Sequence, residues 1–286
     1  MAGQREVGPG KMVLRQRLEQ LARSTPEDAD LGAAVLLIAA EENPDGDTTA
    51  SLAELDRLAG LARDRLRKLA SHSPHDHAFA LTGLLYQDEG FGGNTTEYYD
   101  PRNSDLNQVL KRKLGIPITL AIVYMEVARR AGVPTRGVGF PGHFLVKHVG
   151  PPEVVVDPFT GAVLTEQDCR HRLEATLGPG AHALTQYLAA ATPLDIVVRM
   201  LRNLKRIHLE AEAPLKALAA SERLLMLLPD QPEELRDRSL AYERLECFPE
   251  AVSDLERSLE LAPDQPQAAL LRKHMADLTQ RASRIN

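Results

Sequence analysis

His143 and Asp157 are the residues of this sequence best placed for acid–base chemistry. The stretches His143 to Val149 and Glu153 to Val156 are rich in β-branched and aromatic residues, and Gly150-Pro151-Pro152 can turn one into the other. Antiparallel pairing brings the start of the first strand beside the end of the second, so the two side chains can meet. An aspartate next to a histidine holds the imidazole in one tautomer and steadies its charged form, as in the last two members of a Cys-His-Asp triad. Asp157 also reads as an ordinary turn acid ahead of Pro158, and His143 as a strand histidine bonded to backbone. Nucleophiles are scarce. Thr119 is a neutral hydroxyl, weak without an adjacent base, and Cys169 in Thr165-Glu166-Gln167-Asp168-Cys169-Arg170 reads as a partly buried helical thiol. Cys247 falls in a turn with no catalytic partner nearby in sequence.

Three other clusters invite chemistry and explain themselves more simply. Arg102 and Asn103 lie in Asp100-Pro101-Arg102-Asn103-Ser104, which suits a cleft wall and equally a turn with a helix cap. Gly137-Val138-Gly139-Phe140-Pro141-Gly142 has dinucleotide-motif spacing but leads into a strand instead of opening a helix, so nucleotide binding is not expected. His72, His75, Asp76 and His77 are metal-ligand types, yet a proline-bearing loop of histidines reads as solvated. No metal or cofactor is expected.

These side chains need a scaffold. Leu120, Val123, Tyr124, Val127, Ala128 and Ala131 recur at helical spacing, with Pro117 suited to the first turn, Arg129 and Arg130 to the last, and Gly132 to the exit. The strands that follow, Thr135 to Phe140, His143 to Val149 and Glu153 to Val156, make this an α+β domain: a central helix, buried on one face, against an antiparallel sheet. Helices over Val13 to Arg23, Leu31 to Glu42 and Leu52 to Leu69 precede it, with turns at Ser24-Thr25-Pro26 and Pro44-Asp45-Gly46-Asp47.

A repeat closes the chain. Pro229-Asp230-Gln231-Pro232 returns as Pro263-Asp264-Gln265-Pro266 after 34 residues, the length of one tetratricopeptide unit, and Ala217/Ala251, Glu222/Glu256, Arg223/Arg257 and Leu225/Leu259 keep the same spacing. With an opening helix over Leu194 to Leu209, the C-terminal third reads as about five helices. Gly178-Pro179-Gly180 and a helical bridge from Tyr187 to Ala191 put the boundary near residue 185. The expected division is an N-terminal extension (1–30), an α+β domain (31–185) and a helical repeat domain (186–286).

Composition narrows the partners. Forty acidic against 34 basic residues give a net charge of −6, which offers no general attraction to nucleic acid or anionic membrane. Two cysteines in separate domains argue against a disulfide framework, and the polar N-terminus lacks the plan of a secretory signal. A cytoplasmic location is expected, so the Asn94-Thr95-Thr96 sequon reads as chance. Nothing in the sequence speaks to oligomeric state.

Over roughly residues 30 to 286 the chain resembles the bacterial SirB-type family, which joins a transglutaminase-like, papain-like domain to tetratricopeptide repeats. The resemblance rests on Asp100-Pro101-Arg102-Asn103-Ser104, Gly115-Ile116-Pro117-Ile118-Thr119-Leu120 and Pro141-Gly142-His143-Phe144-Leu145-Val146. In active transglutaminase-like enzymes the nucleophilic cysteine opens the central helix, about fifteen residues before the glycine that ends it. That position here is Pro117. The resemblance therefore implies a domain that keeps His143 and Asp157 and lacks the nucleophile, a pseudoenzyme binding a peptide or protein through its cleft, lined by Arg102, Asn103, Pro117 and Thr119, and through its repeats. The alternative is a hydrolase or amidase using His143 and Asp157 without a cysteine.

Overall fold

The computed structural model describes residues 9–24, 30–180 and 184–285. The Thr25-Pro26 part of the first expected turn lies outside them. The chain divides into two compact units, Met1–Val197 and Val198–Asn286.

In the first unit, helix α1 (Pro9–Arg23) starts four residues earlier than its sequence pattern suggests, and buries Leu18 and Leu21. It packs on α2 (Leu31–Glu42), whose entry is capped by Asp30 accepting from the Ala33 N–H. Helix α3 (Thr48–Leu66) follows the expected turn and is capped by Asp47. Helix α4 (Pro74–Thr82) takes up most of the histidine-rich segment read as a loop. Ser73 and Asp76 exchange a reciprocal cap there, so Asp76 is spent on the helix start. A π-helical turn, Gly83–Asp88, extends it. Strand β1 (Gly92–Gly93), helix α5 (Leu106–Arg112) and strand β2 (Leu114–Gly115) lead into α6 (Pro117–Arg130), and β1 and β2 pair in parallel.

Helix α6 is central, as its pattern predicts, but it is buried on more than one face. Every residue from Ile118 to Ala128 is buried, because α2, α3 and α5 pack on it from one side and the sheet from the other. Glu126 is inside with the rest, its carboxylate held by Arg129 at 2.9 Å and Arg130 at 3.4 Å. Gly132, at φ +82°, turns the chain out of the helix.

The sheet is antiparallel in the order β3 (Thr135–Val138), β4 (Leu145–His148), β5 (Val154–Asp157), β6 (Ala162–Leu164). Strand β6 is only three residues long, too short for a periodic signal. Helix α7 (Glu166–Leu177) lays Cys169 and Leu173 into a cluster with Val138, Phe140, Leu145 and Val155. Helix α8 (Leu184–Tyr187) adds Leu184 to that cluster. The expected helical bridge from Tyr187 to Ala191 is mostly extended instead. Ala190 bridges Val138, and the Ala191 N–H donates to the Gly137 carbonyl, so this segment satisfies the free edge of β3. That pairing keeps residues well beyond 185 with the first unit, and the division falls at Val197, inside helix α9 (Pro193–Glu210).

The second unit continues through α10 (Pro214–Leu227), α11 (Pro232–Arg244), α12 (Phe248–Leu261) and α13 (Ala268–Ile285). Helices α10 and α12 begin and end 34 residues apart, the structural form of the sequence repeat. Prolines enter α10, α11 and α12 in the first turn, where no amide donor is missed. Phe248, Ala251, Leu255 and Leu278 form a core between α12 and α13.

Candidate functional site

The start of α6 is built from its neighbours. Pro117 occupies the first turn and is half-buried. Thr119 has no exposed surface. Its hydroxyl accepts from the Ile116 N–H at 3.2 Å and donates to the Asn103 carbonyl at 2.7 Å. Asn103 is equally enclosed: its Oδ1 accepts from Asn94 Nδ2 at 3.1 Å, and its Nδ2 donates to the carbonyls of Glu97 and Tyr98. Both residues thus hold the 94–104 loop against the helix start, and a ligand can reach them only by displacing other atoms. Arg102 is exposed and paired with Asp100 at 2.6 Å. Asn94 is buried, with its carbonyl oxygen taken by Thr96 and by the Glu97 N–H, so the sequon is not presented to a glycosylating enzyme.

A short path of backbone bonds ties this helix start to the end of β5. The Asn94 N–H donates to Gly115, and the Gly93 N–H donates to the Phe159 carbonyl at 2.9 Å. A Cβ on Gly93 would stand 2.3 Å from the Phe159 ring, so only glycine lets that ring lie there. The Tyr86 hydroxyl donates to the Pro158 carbonyl at 2.7 Å and secures the same segment. Burial pushes that hydroxyl's pKa up.

Asp157 ends β5 and is almost completely buried. One carboxylate oxygen accepts the Phe159 N–H at 2.9 Å and the other meets Arg172 of α7 at 2.9 Å. His143 lies in the turn between β3 and β4, after Gly142 at φ +69°, and its N–H donates to the Phe140 carbonyl at 3.0 Å. The register pairs Val146 with Val156, which puts the entry to β4 and the exit of β5 at one end of the sheet. The exit of β5 is also the point that the backbone path through Gly93 ties to the start of α6. Arg172 was not legible as a site residue, because it lies fifteen positions away on a helix with no distinguishing pattern.

Residues 49–202 match the transglutaminase-like superfamily, and residues 204–276 match a tetratricopeptide repeat. The chain belongs to the transglutaminase-like superfamily. The UPF0162 protein of Xylella fastidiosa strain Temecula1 is 41% identical over 264 residues, 91% of this chain and 93% of its own. The UPF0162 protein PA3419 of Pseudomonas aeruginosa is 35% identical, covering 93% and 96%. Protein SirB1 of Salmonella typhimurium is 30% identical, covering 71% and 75%. No solved structure matches the chain.

The two thiols of the chain are poorly placed to act as nucleophiles. Cys169 is buried in the cluster under α7, and burial pushes its pKa up, away from the reactive thiolate. Cys247 precedes α12 in the other unit. Among the described residues no group of histidine, cysteine and carboxylate side chains is arranged to hold a metal ion, and no helix is long and apolar enough to cross a membrane.

The sheet also holds a histidine that sequence reading passed over. His148 of β4 is buried, with Nε2 2.7 Å from the Tyr124 hydroxyl and Nδ1 without a partner. Burial, assisted by His77 nearby, depresses its pKa to about 4. It is therefore neutral in the fold, while the unfolded chain takes up the proton below about 6.5. Stability is expected to be full above pH 6.5 and to fall as pH drops toward 4, by about 3 kcal/mol at most. Urea melts of the protein and of His148→Leu across that range check this: the variant's curve should lack most of the decline.

Proposed function

We propose that this transglutaminase-like protein is non-catalytic and acts as a cytoplasmic scaffold, binding a peptide or protein through the cleft at the start of α6 and through its repeats. The observation that carries the reading is Pro117 where the family's active members place cysteine, beside a Thr119 whose hydroxyl is buried and committed to Asn103. A proline has no nucleophilic atom, and the dipole of the 14-residue helix behind it has no thiol to ionise. Two free cysteines suit a reducing compartment.

Tetratricopeptide units stack helices into surfaces that take up partner segments. In the second unit Leu215, Leu240 and Leu270 are exposed apolar side chains, at 70%, 44% and 67%.

The test is a turnover panel of activated esters, a glutamine peptide with an amine acceptor, and simple amides, run on the protein and on His143→Ala. The expected result is no turnover by either. Hydrolysis that His143→Ala abolishes at an unchanged melting temperature would instead establish a hydrolase working without cysteine. For the repeats, Leu215→Asp with Leu270→Asp should weaken capture of a co-purifying partner while leaving the helical signal intact; undiminished capture would remove the repeats from the reading.

A further inference from the structure

The last turns of α6, away from Pro117, border a cavity of about 380 Å³ lined entirely by residues of the first unit. Its walls are mostly apolar side chains that are themselves inside the fold. Met125 of α6, Val133 beyond it, Leu31 of α2 and Ile196 of α9 are each at most 6% exposed. A cavity of this size, apolar with a few polar groups set in it, is the form that small-molecule sites take. Its charged wall residues are Glu126, Arg129 and Arg136.

Glu126 is 1% exposed, and only one of its oxygens is engaged. Oε2 accepts from Arg129 Nη2 at 2.9 Å and lies 3.4 Å from Arg130 Nε. Helix α2 closes on that side, where a Cβ on Gly32 would stand 3.0 Å from Oε2. Oε1 accepts no hydrogen bond from any described residue, yet it is not sealed from contact as the Nε atoms of Arg129 and Arg130 are. A buried carboxylate therefore presents one open oxygen among apolar walls, where a donor from a ligand would be well received. Arg129 has a donor to spare. Its Nη2 is bonded to Glu126 and lies 3.6 Å from Asp30, whereas its Nη1 donates to no described residue. Arg136 Nη1 is committed to the Thr135 carbonyl at 3.0 Å.

Charge decides what can enter. A cationic head group meets Arg129 and Arg136, and an anionic one meets the open oxygen of Glu126, so both are opposed. A neutral group that donates and accepts answers Oε1 and Nη1 together. A primary carboxamide carries its N–H and its C=O on one edge, which matches the acceptor and the donor of this ion pair.

We propose that this cavity binds a small neutral ligand with an apolar body and a primary carboxamide head, its N–H donating to Glu126 Oε1 and its carbonyl accepting from Arg129 Nη1. The proposal is independent of whether the domain is catalytic.

Methyl NMR of the full chain, labelled at methionine and isoleucine, tests it, because Met125 and Ile196 carry methyl groups on the cavity walls. Hexanamide, hexanoate and hexylammonium share one apolar body and differ in head group. Hexanamide should shift both signals to saturation, and the two ions should bind about tenfold more weakly or worse. Ala191→Leu enlarges a half-buried wall residue, so the variant should melt as the parent does and lose about tenfold in hexanamide affinity. Arg129→Met removes one cation and the donor to the carbonyl, so the folded variant should shift its preference from hexanamide towards hexylammonium. The proposal is overturned if hexanamide leaves both methyl signals in place, which assigns the open oxygen to water, or if either ion binds as tightly as the amide. It is equally overturned if Ala191→Leu binds hexanamide undiminished or if Arg129→Met keeps the parent's preference.

Discussion

Replacing Glu234 with leucine is expected to destabilise the repeat unit by about 3–5 kcal/mol, the range for removing one partner of a buried ion pair. Glu234 of α11 is 1% exposed and Lys205 of α9 is 5% exposed. The Lys205 ammonium donates to Glu234 at 2.6 Å and also to Asp237, while Arg202 reaches the other Glu234 oxygen at 2.7 Å. Without Glu234 the lysine stays in a site of low polarity, with only the more exposed Asp237 to answer its charge. Replacing Lys205 with methionine in the same chain should restore most of the loss, because the stranded charge is then gone and the volume is filled. Chemical denaturation of the two single variants and the double variant checks this. Additive losses in the double would show that the pair is not the source of the effect.

The second large effect concerns chemistry. In Pro117→Cys the new thiol is expected to titrate one or more units below the ordinary value of about 8.5, since it sits in the first turn of a long buried helix. The rate of alkylation by iodoacetamide against pH reads this out, in a Cys247→Ser background, with Cys169 protected by burial. Loss of the proline costs only about 0.4–1 kcal/mol, through a freer unfolded chain. Adding His143→Ala to this variant should raise the thiol's pKa if the imidazole faces residue 117, and should leave it unchanged if the helix alone supplies the field. A thiol at the ordinary value from the outset would mean that the helix start is not an activating position, and the loss of the nucleophile would then explain less about this protein than the proposed function requires.

Much of the architecture is legible because it is local. The 34-residue spacing follows from apolar stripes and first-turn prolines that any helical hairpin needs, and α10 and α12 reproduce it at both ends. The central helix is framed by Pro117 and Gly132, residues whose backbone preferences act without help from the rest of the chain. Strands β3 to β5 show themselves by β-branched runs, whereas β6, at three residues, has no room for a pattern. The extended stretch near Ala190 reads as helix in sequence, and it is drawn out of that preference by the unpaired edge of β3.

The site was legible as residue types and not as partnerships. His143, Asp157 and Pro117 can be picked out from strand ends and a helix start, but what each touches depends on elements far apart in sequence. Thr119 and Asn103 read as cleft residues and are enclosed, because the 94–104 loop folds over the helix start. Arg172 engages Asp157 only because α7 returns across the sheet. The sequence by itself determined the two kinds of unit, most of their long helices and the presence of a proline without a nucleophilic atom at 117, since propensity, periodicity and residue chemistry are properties of short segments. Only the tertiary structure decided which polar groups are buried, which charges are answered and that α6 is enclosed rather than one-sided, since burial and pairing are set by what other segments bring alongside.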